Sequence, residues 1–96
     1  MNRETALAKL AECRRAIDSI DARIVALLNE RAREVEVIGR VKRECSMPVY
    51  EPAREEDVYR NVVENNQGPL APDAIKRVFE RVIDEMRTLQ KMRMQG

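Results

Sequence analysis

Apolar residues recur every three or four positions from about residue 6 to about residue 43, and this spacing predicts one long helix. Glycine and proline, which weaken or stop helices, are absent from this stretch as far as Gly39. Pro48 favours extended geometry at Met47 and should end the helix before it. The main apolar stripe consists of Leu10, Ile17, Ile20, Ile24, Leu27, Leu28, Val35, Ile38 and Val41.

Two shorter helices are predicted after this break, over about residues 52–66 and 72–94. Pro52 and Pro72 suit the first turn of a helix, and the turn-forming sequence at residues 65–69 separates the two. Both segments repeat apolar residues along one face. We therefore expect an all-α fold of three helices in a single domain covering residues 1–96.

The length of the first helix predicts a dimer. A helix of roughly 38 residues is about 57 Å long, at a rise of about 1.5 Å per residue. A compact domain of this size has a diameter of only about 32 Å. The two shorter helices cannot cover the whole apolar stripe of the first, so a second chain should cover the rest. We expect an intertwined, domain-swapped homodimer.

Composition and charge exclude several kinds of function. The chain has a net charge of +1 and no histidine, so we expect no nucleic-acid binding, no metal site and no histidine-activated nucleophile. Cys13 and Cys45 lack the spacing of a metal or redox pair. The start, residues 1–5, does not resemble a signal peptide, and no apolar run is long enough to span a membrane. These features predict a cytoplasmic protein.

Several polar residues fall on the apolar sides of the predicted helices. Arg14, Arg31 and Lys42 align with the stripe of the first helix, and Glu55 and Gln90 lie on the inner sides of the second and third. Burying three cations is costly without an anionic partner. The pattern therefore predicts a small ligand with more than one carboxylate, bound inside the helical bundle.

The spacing along the first helix limits which residues can share that ligand. Arg31 and Lys42 are eleven residues apart, at nearly the same angle and about 16 Å along the axis, so long side chains could bracket one small molecule. Arg14 is about 42 Å from Lys42 by the same rise. If Arg14 contacts the same ligand, it must belong to the other chain of an antiparallel pair.

Across nearly its whole length, the chain resembles the all-helical chorismate mutases of the AroQ class. The matching features are residues 14–21 (RRAIDSID) and Lys42 in the first helix, Pro48 and residues 54–55 (RE) around the second, and Gln90 in the third. The resemblance implies a domain-swapped dimer with two sites, each built from both chains. It also implies the substrate chorismate and no cofactor.

The resemblance assigns the reaction centre by position. Lys42 and Gln90 would be the catalytic residues, both donating to the ether oxygen of chorismate, and Lys42 would also contact a carboxylate. Arg31 would bind a carboxylate within its own chain's pocket. Arg14 would reach a carboxylate from the partner chain.

The resemblance also assigns the surroundings of the substrate ring. Glu55 would accept from the ring hydroxyl, Glu51 would lie beside it at the start of the second helix, and Arg54 would support the charge network. Met86 departs from the family pattern, because many members have a small hydroxyl residue at this position. The carboxylate contact expected there has no obvious donor in this chain.

The implied activity is the rearrangement of chorismate to prephenate in phenylalanine and tyrosine biosynthesis. This unimolecular reaction needs no nucleophile, metal or proton transfer, which agrees with the residues available. Two alternatives use the same scaffold: an isochorismate-pyruvate lyase and an aminodeoxychorismate mutase. A third is a non-catalytic helical dimer that regulates an aromatic-pathway enzyme.

Overall fold

The computed structural model describes residues 1–95, which form three α-helices and no strand: α1 (Arg3–Glu44), α2 (Pro52–Glu64) and α3 (Pro72–Gln95). The predicted all-α fold with a very long first helix is confirmed. α1 begins about three residues earlier than predicted, because Asn2 Oδ1 accepts a hydrogen bond of 2.8 Å from the Thr5 amide and caps the first turn. α2 ends about two residues earlier than predicted.

The chain divides into two compact units, Met1–Arg31 and a second unit that begins at Ala32. The first unit is the N-terminal part of α1. Every residue from 1 to 30 except Ala6 is exposed, so most of the apolar stripe is uncovered in the single chain. Its exposed apolar side chains include Leu7, Leu10, Ile17, Ile20, Ile24, Val25, Leu27 and Leu28.

The second unit contains the C-terminal part of α1 together with α2 and α3. Val35 and Ile83 are its buried apolar residues, and Lys42 and Gln90 are buried with them. α1 approaches α3 closely at Gly39, which is also buried. A Cβ atom at residue 39 would lie 3.5 Å from Cγ of Gln90, an ordinary contact distance.

The end of α1 turns the chain back toward Lys42. The Met47 amide donates to the Lys42 carbonyl at 2.8 Å and the Ser46 amide to the Arg43 carbonyl at 3.4 Å, the two bonds of a Schellman motif. Ser46 occupies the left-handed position of this motif, with φ of 55°. The following segment therefore runs back beside the last turn of α1, where Val49 meets the Lys42 side chain.

Candidate active site

The ammonium group of Lys42 is the centre of a buried polar cluster. Nζ donates to Oε1 of Gln90 at 2.9 Å and to the carbonyl of Val49 at 3.0 Å, and it lies 2.5 Å from Oε1 of Glu51. The Lys42 side chain is only 6% exposed. Its three N–H donors are therefore matched by three acceptors, one from α3, one from the α1–α2 connection and one from the residue preceding α2.

Glu51 reaches Lys42 because it does not cap its own helix. It occupies the N-cap position of α2, directly before Pro52, but its side chain makes no capping hydrogen bond. The carboxylate instead forms the ion pair with Lys42, and the Glu51 side chain remains 46% exposed. Of the three acceptors around Nζ, Glu51 has the freedom to move away into solvent.

Gln90 approaches Lys42 from α3 and is also buried. Its side-chain oxygen accepts from Lys42, which fixes the orientation of the amide and leaves the Nε2 hydrogens to serve as donors. Gly39 lies one helical turn before Lys42 on α1, and a Cβ atom there would lie 3.5 Å from Gln90 Cγ, so the same face of α1 that carries Lys42 also lies close to the Gln90 side chain. The Lys42 ammonium and the Gln90 amide, which both carry N–H donors, thus lie side by side and are buried.

A second charged contact joins α2 to α3. Nη2 of Arg87 lies 2.6 Å from Oε2 of Glu55, and Nη1 lies 3.2 Å from Oδ1 of Asp84. The hydrogen bond to Glu55 raises the pKa of the Arg87 guanidinium, and the charges of Glu55 and Asp84 act in the same direction against the effect of burial. The guanidinium carbon also lies 5.5 Å from the centroid of the Tyr50 ring.

Arg87 was not among the predicted site residues. The sequence did contain a signal for it, because Arg87 lies four residues after Ile83 and three before Gln90, both of which face inward. Glu55, predicted on the inner side of α2, needed a cation on the facing helix. Arg87 supplies that charge.

Within the second unit, the structure brings several of the predicted site residues together. Lys42 contacts both Glu51 and Gln90. Glu55 lies one helical turn after Glu51, and its amide donates to the Glu51 carbonyl at 3.1 Å. Arg54 is exposed near the start of α2.

Arg14 and Arg31, the other predicted carboxylate ligands, belong to the first unit, and Met86 belongs to α3. Arg14 is an exposed residue of the first unit. Arg31 is half-buried and is the last residue of that unit. Met86 is a half-buried residue of α3, one turn before Gln90.

The described residues contain neither a candidate metal site nor a candidate membrane span. Over residues 1–95, no three His, Cys, Asp or Glu side chains are grouped so that they could hold a metal ion. Over the same residues, no helix combines the length and the apolar character needed to cross a membrane.

Known proteins resemble this chain in both sequence and fold. The family model for chorismate mutase type II matches residues 13–91. A chorismate mutase of Methanocaldococcus jannaschii is 30% identical over 84 residues, which cover 86% of this chain and 85% of that protein. A solved structure of a chorismate mutase from Thermus thermophilus superposes with a TM-score of 0.84 at 30% identity, covering 86% of this chain and 94% of that one.

Longer relatives match only in part. The bifunctional chorismate mutase/prephenate dehydratase of Neisseria gonorrhoeae is 41% identical over 78 residues, which cover 81% of this chain and 21% of that protein. A protein of the same name from Aquifex aeolicus is 31% identical over 87 residues, 86% of this chain and 24% of that protein. The chain thus spans about a fifth to a quarter of the length of these bifunctional relatives.

Proposed function

This chain belongs to the chorismate mutase type II family, and on that premise we propose that it converts chorismate to prephenate. The reaction breaks the carbon–oxygen bond of the enolpyruvyl ether and forms a new carbon–carbon bond within the same molecule. It exchanges no proton or electron with the enzyme. Catalysis therefore requires a site that holds the reactive conformer and stabilises the negative charge that develops on the ether oxygen.

The observation that carries this proposal is the buried pair formed by Lys42 and Gln90, with Nζ and Oε1 2.9 Å apart. Lys42 brings a positive charge with N–H donors, and Gln90 brings an amide whose oxygen is already occupied. Both groups are shielded from water, where donors aimed at developing charge have the largest effect. We assign both to the ether oxygen, and Lys42 also to a substrate carboxylate.

Glu51 is the acceptor that the substrate displaces from Lys42. Val49 contributes a backbone carbonyl and Gln90 is buried, whereas the Glu51 carboxylate is nearly half exposed and can turn into solvent. A substrate carrying carboxylates then replaces one anionic partner of Lys42 with another. The buried ammonium group remains paired before and after binding, which avoids the cost of an uncompensated charge.

We also propose the intertwined homodimer, with two sites that each use both chains. The exposed apolar stripe of the first unit supports it, because a stripe of this size needs a partner. In this arrangement Arg31 binds a carboxylate in its own chain's pocket and Arg14 binds one from the partner chain. Glu55 accepts from the ring hydroxyl, and Arg54 contributes to the positive field near the start of α2.

A cytoplasmic role in phenylalanine and tyrosine biosynthesis fits this activity. Cys13 and Cys45 are both free and exposed, which is typical of a reducing compartment. We therefore place the enzyme in the cytoplasm as part of the same proposal.

The direct test is incubation of the purified protein with chorismate, followed by chromatographic identification of the product. We expect loss of chorismate with an equal gain of prephenate, at a rate proportional to enzyme concentration. Isochorismate and aminodeoxychorismate tested in parallel separate this activity from the two alternatives on the same scaffold. Binding of chorismate, seen as a rise in melting temperature, without turnover would instead indicate a non-catalytic module.

A further inference from the structure

The ion pair of Glu55 and Arg87 lies one helical turn away from the Lys42 cluster on both helices. On α2, Glu55 follows Glu51 by four residues, and on α3, Arg87 precedes Gln90 by three. Residues at these spacings occupy the same face of a helix. The α2 and α3 faces that meet Lys42 therefore continue into the Glu55–Arg87 contact.

Arg87 is held firmly in this position. Its side chain is 28% exposed and that of Glu55 is 20% exposed, so water screens their interaction only in part. The guanidinium lies over the Tyr50 ring, and Asp84 receives a second of its N–H groups. The Nε atom is buried and has no hydrogen-bond partner among the described residues. Burying an unpaired donor destabilises the folded chain, so the position of this cation is not explained by stability alone.

The consequence is electrostatic. A lone, partly buried carboxylate at residue 55 would attract any positively charged group on a ligand. Arg87, 2.6 Å from Glu55 and shared with the more exposed Asp84, balances part of the charge of Glu55, while the second oxygen of Glu55 can still accept a hydrogen bond. A neutral hydroxyl is a suitable donor to such a pair. An amine on a saturated carbon is protonated near neutral pH, and the positive charge of Arg87 repels it.

We propose that Arg87 determines the selectivity of the site for a substrate with a ring hydroxyl over one with a ring amine, by balancing the charge of Glu55. Arg87 is a positioning residue in this role, because it acts through Glu55. The inference rests on the proposed function, in which Glu55 accepts from the ring hydroxyl of chorismate. It adds the residue that separates a chorismate mutase from an aminodeoxychorismate mutase.

The experiment compares kcat/KM for chorismate and for aminodeoxychorismate in the wild-type chain and in its Arg87→Met and Arg87→Lys variants. Where turnover of the amine is too slow, its inhibition constant against chorismate replaces kcat/KM. We expect the preference for chorismate to fall at least about ten-fold in Arg87→Met, the scale of one partly screened charge contact, and to stay within about three-fold of wild type in Arg87→Lys.

The matched control is Arg93→Met. Arg93 also lies on α3 and pairs across helices, with Nε 2.5 Å from Oε2 of Glu36, but outside the Lys42 cluster. We expect this variant to keep the wild-type preference. An equal change in Arg93→Met would show a general effect of losing a cation, and an unchanged preference in a folded Arg87→Met protein would overturn the proposal.

A second variant keeps the test valid if Arg87→Met fails to fold. Glu55→Gln removes the carboxylate and leaves the charge of Arg87 facing the ring, so the preference for chorismate should rise; a fall would overturn the proposal. Failure of the proposed function gives a different result, because the wild-type protein would then not convert chorismate at all. If the wild-type enzyme converts chorismate but has a higher kcat/KM for aminodeoxychorismate, the proposed function stands and the proposed role of Arg87 is wrong.

Discussion

The side chains of Lys42 and Gln90 meet at 2.9 Å although the two residues are 48 positions apart in the chain. Both are buried, in a unit whose buried apolar side chains are those of Val35 and Ile83. A fold gains little stability from placing a cation and an amide where apolar side chains would pack at lower cost. This cost is expected if the pair acts on a bound anion, as we propose.

Replacement of Lys42 by alanine should lower turnover of chorismate at least about 100-fold, because it removes a preorganised donor and its charge from the ether oxygen. Steady-state kinetics measure this effect, and circular dichroism checks that the helices remain. Lys91→Ala is the control, since Lys91 is an exposed lysine next to Gln90 on α3. A Lys42→Ala enzyme within a few-fold of wild type would show that Lys42 does not stabilise the transition state.

Gln90 gives a prediction that depends on pH. In a Gln90→Glu variant the new carboxylate lies beside Lys42, where it remains ionised at neutral pH and has no proton to donate to the ether oxygen. Lowering the pH protonates it and restores a donor, so activity should rise as the pH falls. Gln90→Ala should be impaired at every pH. If the pH–rate profile of Gln90→Glu parallels that of Gln90→Ala, Gln90 does not donate to the ether oxygen.

Gly39 offers a test of the packing that holds Gln90. A Cβ atom there meets Gln90 and Arg93 only at 3.5 to 3.6 Å, so alanine fits without displacement. Because alanine favours the helical backbone over glycine, Gly39→Ala should raise the free energy of unfolding by about 0.5–1 kcal/mol and leave activity nearly unchanged. Gly39→Leu should lower both stability and turnover, because its larger side chain pushes Gln90 away. Urea unfolding and kinetics of the two variants provide the comparison.

The free energy of unfolding should depend on the protonation of Tyr59 at alkaline pH. Burial, followed by the charges of Glu55, Glu80 and Asp84, raises the pKa of its phenol above the ordinary value. The folded chain therefore binds this proton more tightly than the unfolded chain. The resulting stability is fully present below a pH of about 10 and is lost as the pH rises through the folded pKa. Urea unfolding between pH 9 and 11 should show a smaller loss for Tyr59→Phe than for wild type.

The sequence was sufficient to predict the residues whose positions follow from helical periodicity. Lys42 and Gln90 fall on apolar stripes, and a helix buries its stripe, so their inward orientation follows from their spacing along the chain. Their mutual contact does not, because it depends on how α1 crosses α3 at Gly39. That crossing is set by the packing of side chains and backbone, which spacing along one helix does not specify.

The partner of Glu55 illustrates the same limit. Arg54 is its neighbour in sequence, but adjacent residues on a helix do not face each other, and the ion pair forms with Arg87 on α3 instead. Arg87 lies at the edge of the α3 stripe, where a charged residue is ordinarily taken to face solvent. Its spacing from Ile83 and Gln90 is compatible with an inward position, and the contacts with Glu55 on α2 and with Tyr50 show that Arg87 takes it.

The most direct measurement of the central claim, that each site combines Lys42 of one chain with Arg14 of the other, is activity after co-refolding of two inactive variants. Arg14→Ala and Lys42→Ala chains are each purified, shown to be nearly inactive, unfolded together and refolded as a mixture. In a mixed dimer, one site receives Lys42 from the first chain and Arg14 from the second and is intact, whereas the other site lacks both. Random reassortment makes about half of the dimers mixed, each with one intact site of two, so about a quarter of wild-type activity should return. No recovery, in a sample where mass spectrometry confirms mixed dimers, would contradict the shared site.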